Sequence, residues 1–144
     1  MRAAKTPAHI ALAEEPGLKR SIFYLDDEAG CLEVFHETFA GEYEVRTAIK
    51  LAEARRMLAE RPADIVISDQ SMPETSGTEF LCEVAALYPP SYRVMLTGSM
   101  TVGEALPEIG SGIVHLFIAK PWKEPGMRAM LERAALHCDL RRFE

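Results

Sequence analysis

Polar side chains follow directly after four short apolar runs of the sequence, and their types suit metal and phosphate chemistry. Asp26 and Asp27 come after SIFYL, Asp69 after IVIS, Thr97 after VML and Lys120 after FIA. Carboxylates that converge repel each other, by roughly 4 kcal/mol for a pair about 4 Å apart at an effective dielectric near 20. A cluster of three therefore needs a cation, and hard oxygen ligands favour Mg²⁺ or Mn²⁺.

The hydroxyl and the ammonium group extend this chemistry to phosphate. Lys120 supplies a positive charge that can pair with a carboxylate or a phosphoryl oxygen, and Thr97 supplies a hydroxyl donor. Asp69 can act as a nucleophile, because a carboxylate can attack phosphorus and form an acyl phosphate. The set predicts a pocket for a doubly negative phosphoryl group.

These residues need a fold that brings distant strand ends together. Apolar runs typical of buried strands alternate with helical patterns, and the predicted strands are 21–25, 43–48, 63–69, 92–98 and 113–120. Such alternation predicts a parallel sheet covered by helices on both faces. The carboxyl ends of parallel strands share one edge, so all the polar residues should lie on one rim.

The segment between the fourth and fifth predicted strands departs from this regular pattern. Residues 101–112 contain Pro107 together with Gly103 and Gly110. A proline inside a helix costs about 3 kcal/mol. We therefore expect a fourth helix that is short, irregular or mobile, whereas the fifth should run from about residue 123 to 142.

Length and composition indicate one globular domain. The chain has 144 residues, of which 48% are apolar and 26% charged, and its net charge of −6 argues against direct nucleic-acid binding. The three cysteines form no C-x-x-C pair, which favours small buried side chains in a reducing cytoplasm. No apolar run approaches the roughly 20 residues of a membrane span. We expect a tail or linker over 1–19, a domain over 20–144 and a cytoplasmic location.

Four motifs, YLDDE, VISDQSMPETSG, VMLTGS and FIAKPW, occur in this order. With them the chain resembles, from about residue 21 to 142, the receiver domain of two-component response regulators. The resemblance implies an α/β, flavodoxin-like (βα)5 three-layer sandwich whose five-stranded parallel sheet has the order 2-1-3-4-5. It also implies a phosphorelay signalling domain, not an enzyme for other substrates, that catalyses only its own phosphoryl transfer and dephosphorylation.

The resemblance assigns a role to each acid. Asp69 would accept the phosphoryl group from a sensor histidine kinase or a histidine phosphotransfer protein. Asp27 would bind Mg²⁺ or Mn²⁺ directly and Asp26 mainly through a water. The acceptor Asp69 and the backbone carbonyl of Ser71 would complete the protein's metal ligands.

The resemblance also implies a switch. Thr97 and Lys120 would hold phosphoryl oxygens, and Lys120–Pro121 would be a cis peptide. As Thr97 moves toward the new oxygens, Phe117 would turn inward. The surface of the fourth helix, fifth strand and fifth helix would then repack and signal to an output domain or partner protein.

Simpler interpretations exist for single residues. Asp26 and Asp27 could cap the first helix, Asp69 could form a turn, Lys120 could be a solvated lysine and Phe117 a core residue. The apolar stripe of the last helix is expected to dock on the sheet, with a homodimer or coiled-coil extension as the alternative.

Two other functions compete with phosphoacceptance. An enzyme of the haloacid dehalogenase type also uses a strand-end aspartate, but it needs a second acid two residues later, where this chain has Ser71. A receiver-like docking module that is never phosphorylated should have lost an acid, Thr97 or Lys120, and all are present. The chain is either a single-domain regulator or a receiver from a longer protein.

Overall fold

The computed structural model describes residues 19–98, 107 and 109–141. Strands and helices alternate in these ranges: β1 Ser21–Leu25, α1 Ala29–Phe39, β2 Glu44–Ala48, α2 Leu51–Glu60, β3 Ile65–Asp69, α3 Gly77–Leu87, β4 Tyr92–Thr97, β5 Leu116–Ala119 and α4 Glu124–Arg141. The predicted tail lies outside the described residues except for Lys19, and so does most of the predicted fourth helix. The fifth predicted helix is therefore α4 here.

The five strands form one parallel sheet in the order β2-β1-β3-β4-β5. This confirms the predicted flavodoxin-like arrangement. The chain leaves β1 toward one edge and β3 toward the other, so the connections that follow these two strands diverge. A cleft at the carboxyl ends of β1 and β3 results, which is where open α/β sheets bind ligands.

Alternate side chains of each strand point to opposite sides of the sheet, and helices cover the central strands on both sides. Ile22 and Tyr24 of β1 belong to a core cluster with side chains of α1 and α4. Phe23 and Leu25 belong to a second cluster with side chains of α2 and α3. The result is a three-layer molecule whose central strands β1, β3 and β4 are buried along their whole length.

The last helix docks on the sheet as its sequence predicts. Its buried side chains are Met127, Met130, Leu131, Ala134 and Cys138. Leu136 and Leu140 are exposed, and pairing of two chains through them stays a prediction. None of the helices in the described ranges combines the length and apolar character needed to cross a membrane.

The fifth strand is shorter than predicted. It covers Leu116–Ala119 instead of residues 113–120. Its late start coincides with hydrogen bonds from the guanidinium group of Arg93 to the backbone just before it. Arg93 Nε donates to the carbonyl oxygen of Ile113 at 2.8 Å, and Nη2 donates to that of Gly112 at 3.0 Å. These carbonyls therefore bond a side chain and not a neighbouring strand.

Candidate functional site

The three predicted acids meet at the carboxyl ends of β1 and β3. One carboxylate oxygen from each of Asp26, Asp27 and Asp69 lies within 4.8 Å of the other two. Asp26 and Asp69 are buried, whereas Asp27 is exposed. The hairpin-free parallel sheet achieves this because β1 and β3 are direct neighbours and end at the same rim.

Lys120, which follows β5 directly, reaches across the rim to this cluster. Its Nζ lies 2.9 Å from Asp69 Oδ1, 3.5 Å from Asp26 Oδ2 and 3.7 Å from Glu28 Oε1. Burial acts to lower the pKa of Lys120, but the hydrogen bond to Asp69 and the charge of Asp26 outweigh it and raise that pKa. The ammonium group therefore stays charged. The peptide bond from Lys120 to Pro121 is cis.

The described charges around Asp69 are those of Lys120, which is positive, and of Asp26 and Asp27, which are negative. Burial raises the pKa of Asp69; the hydrogen bond from Lys120 opposes this, and the negative charges of Asp26 and Asp27 add to it. Among the described residues, the Lys120 ammonium group lies within 4 Å of the carboxylates of Asp26, Glu28 and Asp69, and Asp27 adds a further negative charge beside them. The all-oxygen donor set and this excess of negative charge both fit a hard divalent cation.

Asp26 is held in a fixed orientation inside the protein. Its side chain has no exposed surface, and its Oδ2 accepts a hydrogen bond of 2.7 Å from the Tyr24 hydroxyl. Its Oδ1 accepts from the backbone N–H of Glu28 at 3.0 Å. In the sequence, Tyr24 is part of the apolar run SIFYL, which by itself predicts only a buried strand. The signal that could have found it is the two-residue spacing, which puts Tyr24 and Asp26 on the same face of the chain.

Thr97 ends β4 on the same rim and is almost fully buried. Its hydroxyl donates to Oε1 of Gln70, the residue immediately after Asp69. Sequence reasoning did not single out Gln70, although an amide directly after a strand-end acid is a polar group at the predicted rim. The structure therefore adds Gln70 to the polar side chains around Asp69.

The other predicted residues lie nearby, and their roles stay predictions. Ser71 is exposed and forms an isolated antiparallel bridge with Ser76. Phe117 of β5 is partly buried and packs against the core cluster on the α2 and α3 side of the sheet. The structure presents one arrangement of these groups.

A cavity of about 330 Å³ opens beside Asp27, between the connections that follow β1, β2 and β3. Lys50 and Glu74 are among its lining residues. Glu74 Oε1 also accepts a hydrogen bond of 3.0 Å from the backbone N–H of Leu51 at the start of α2. This contact ties the loop after β3 to the start of α2, and Asp27 beside the cavity is exposed.

Comparison with known proteins places this chain in a family. The sequence profile of the response regulator receiver domain matches residues 22–132. The hydrogenase transcriptional regulatory protein HoxA of Cupriavidus necator is 27% identical over 128 residues, which are 86% of this chain and 27% of HoxA. The transcriptional regulatory protein GlrR of Escherichia coli is 29% identical over 116 residues, 80% of this chain and 23% of that protein.

Solved structures agree with the sequence relatives. A response regulator receiver domain protein from Clostridium thermocellum superposes with a TM-score of 0.76 and 26% identity, covering 84% of this chain and 98% of that one. A structure described as adenylate cyclase from Rhodopirellula baltica gives a TM-score of 0.81 at 25% identity, covering 87% and 93%. The chain spans about a quarter of the length of the curated relatives it matches. It belongs to the response regulator receiver domain family.

Proposed function

We propose that this receiver domain accepts a phosphoryl group on Asp69 from a sensor histidine kinase or a histidine phosphotransfer protein, in a reaction that depends on Mg²⁺. The observation that carries the proposal is the meeting of three acids and one lysine at a single rim, with Lys120 Nζ 2.9 Å from Asp69 Oδ1. A turn-forming or capping role would explain one of these acids, but not all four groups together.

The transfer itself requires one bond to form and one to break. A carboxylate oxygen of Asp69 attacks phosphorus, and the bond from phosphorus to the donor's imidazole nitrogen breaks with its electron pair left on that nitrogen. Lys120 then exchanges part of its contact with Asp69 for a phosphoryl oxygen. Thr97 donates its hydroxyl proton to another phosphoryl oxygen.

Asp26, Asp27, Asp69 and the carbonyl of Ser71 would hold the divalent cation, for which Mn²⁺ is a substitute for Mg²⁺. Bound there, the cation would neutralise charge on the phosphoryl oxygens and the carboxylates. Asp26 already accepts hydrogen bonds from Tyr24 and Glu28. This supports a water-mediated role for buried Asp26 and a direct one for exposed Asp27.

The signal would leave the site through a change of packing. Movement of the Thr97 side chain toward the phosphoryl group would let Phe117 turn inward. This would alter the surface around β5 and α4. The curated relatives named above are transcriptional regulators, which supports an output carried by another domain or protein. We propose a cytoplasmic location and no direct nucleic-acid contact by this domain, in keeping with its net charge of −6.

The test is labelling with acetyl phosphate in the presence of Mg²⁺, followed by intact-mass measurement. The native chain should gain one phosphoryl group. Asp69→Asn has the same shape but a poor nucleophile, so it should gain none. Omitting Mg²⁺ should abolish labelling of the native chain.

Circular dichroism of Asp69→Asn serves as the control that the fold is intact. Equal labelling of the native chain and Asp69→Asn would mean that another residue is modified, and would overturn the assignment of the acceptor. Labelling that persists in a chelator would overturn the metal requirement.

A further inference from the structure

Gln70 and Thr97 are linked across the ends of β3 and β4. The Thr97 hydroxyl donates its proton to the side-chain carbonyl oxygen of Gln70, and Thr97 is almost fully buried. A hydroxyl has one proton to donate. While that proton is bonded to Gln70, it cannot be bonded to a phosphoryl oxygen on Asp69.

The backbone on both sides of this contact is fixed. Gln70 N–H donates to the carbonyl of Leu96 at 2.9 Å, and the carbonyl of Gln70 accepts from Gly77 N–H at 2.7 Å. The carbonyl of Thr97 accepts from Lys120 N–H at 2.9 Å. The contact can therefore be broken by side-chain rotation alone, while the strands keep their positions.

We propose that Gln70 is a latch, which holds Thr97 in the unphosphorylated arrangement by competing with the phosphoryl group for its hydroxyl proton. The inference rests on the proposed phosphorylation of Asp69. It assigns to Gln70 a positioning role: the side chain acts through Thr97 and does not touch the reacting atoms. Phosphorylation has to break the hydrogen bond between Gln70 and Thr97. The cost of breaking it reduces the net stabilisation of the phosphorylated arrangement.

The expected size of the effect follows from the worth of one hydrogen bond. A neutral hydrogen bond in a partly buried setting contributes on the order of a three- to tenfold change in an equilibrium constant. Removing the latch should therefore tighten binding of a phosphoryl mimic by roughly that factor. The gain in affinity cannot exceed the factor by which the latch lowers the population of the binding-competent arrangement.

The experiment is a titration of the whole chain with beryllofluoride in saturating Mg²⁺. Trp122, the single tryptophan, lines the same surface cavity as Lys120, so its fluorescence can report binding. Gln70→Met keeps the length and flexibility of the side chain but removes the acceptor. It should bind beryllofluoride roughly three- to tenfold more tightly than the native chain.

A double-mutant cycle separates the latch from a merely structural effect. Thr97→Val has the same shape as threonine but no hydroxyl to be held. Adding Gln70→Met to Thr97→Val should leave the affinity unchanged. An equal gain in both backgrounds would mean that Gln70 acts elsewhere, and would overturn the proposal.

The methyl resonance of Thr97 gives a readout without any ligand. In unliganded Gln70→Met this resonance should move toward its position in the beryllofluoride complex of the native chain. If Gln70→Met and the native chain bound beryllofluoride equally well and the Thr97 resonance did not move, the latch would be overturned but the proposed function would not. No binding of beryllofluoride by the native chain would instead contradict the proposed function.

Discussion

Lys120 and Asp69 set each other's charge state at the centre of the site. Burial raises the pKa of Asp69 and would lower that of Lys120, while their 2.9 Å contact favours the charged form of both. The contact therefore offsets the effect of partial burial on both charged groups. Replacing Lys120 would remove the ammonium group that contacts Asp26, Glu28 and Asp69.

Tyr24 stabilises the buried carboxylate of Asp26 with a hydrogen bond. A carboxylate with no exposed surface is costly unless donors replace its lost water, and the Tyr24 hydroxyl and the Glu28 N–H are such donors. Burial and the charge of Asp26 raise the pKa of Tyr24. The phenol therefore keeps its proton at neutral pH and can donate the hydrogen bond to Asp26.

His115 lies at the opposite end of the sheet and should make stability depend on pH. Its Nδ1 accepts a hydrogen bond of 2.9 Å from the backbone N–H of Arg93, which a proton on that nitrogen would abolish. Burial, and then the charges of Arg93, His137 and Arg141, lower the pKa of His115 to about 4 from its usual 6.5. The unfolded chain therefore binds the proton first, so stability should fall as pH drops from about 6.5 toward 4.

The measurement is the melting temperature of native chain and His115→Gln at several pH values in this window. His115→Gln keeps a side-chain acceptor but cannot titrate, so its melting temperature should decline less steeply on acidification. His36→Gln, at an exposed position of α1, is the matched control and should follow the native slope. Parallel slopes for all three proteins would contradict the assignment to His115.

At the scale of elements, the start of α3 is pressed against the end of β3. Gly77 is buried, and a Cβ there would lie deep inside van der Waals contact with the carbonyl oxygen of Asp69 and 3.1 Å from Cα of Gln70. Both neighbours are backbone atoms that cannot rotate away. Glycine at this position is what allows the helix to begin so close to the proposed acceptor.

Gly77→Ala should therefore destabilise the protein by on the order of 1–3 kcal/mol, the usual cost of forcing extra volume into packed structure. Urea denaturation followed by circular dichroism measures this. Gly30→Ala is the matched control, because no heavy atom lies within 4 Å of a Cβ built on Gly30 in α1. That variant should be neutral or stabilised by up to about 1 kcal/mol. An unchanged midpoint for Gly77→Ala would mean that α3 can shift freely.

The loop ending at α3 also has its own local support. Ser76 and Glu79 form a capping box, in which each side chain bonds the other's backbone N–H. The serine and the glutamate three residues later were both visible in the sequence. Helix α3 is thus positioned by a local signal at its start and by the contact of Gly77 with β3.

At the scale of the whole molecule, the acidic rim should couple metal binding to folding. The three clustered carboxylates stand at the carboxyl ends of β1 and β3, so the site exists only when the sheet is assembled. A cation that binds only the folded chain stabilises it, by about 2.7 kcal/mol when present at about 100 times its dissociation constant.

Saturating Mg²⁺ should therefore raise the melting temperature of the native chain by several degrees over NaCl of equal ionic strength. Asp27→Asn removes one proposed ligand at an exposed position and should lose most of this rise. Identical rises for native chain and Asp27→Asn would contradict a specific site. Calorimetric titration of each protein with Mg²⁺ would supply the affinities.

Much of this fold was predictable from local patterns. The alternation of apolar runs with helical stripes determined the order of elements, and the parallel sheet that follows from it put Asp26, Asp69 and Lys120 on one rim. The length of β5 was not predictable, and its late start coincides with hydrogen bonding by the Arg93 side chain, which binds Ile113 from twenty residues away. A run of apolar residues does not indicate which of its backbone carbonyls will accept hydrogen bonds from an arginine side chain distant in the sequence.

The sequence by itself determined which side chains stand at strand ends, since two-residue and helical periods are properties of contiguous residues. Only the tertiary structure decided which of those side chains touch. Tyr24 could have been buried without a partner, and Gln70 could have faced solvent. Their contacts with Asp26 and Thr97 depend on side-chain direction and on the register between strands far apart in the chain, and no local pattern encodes either.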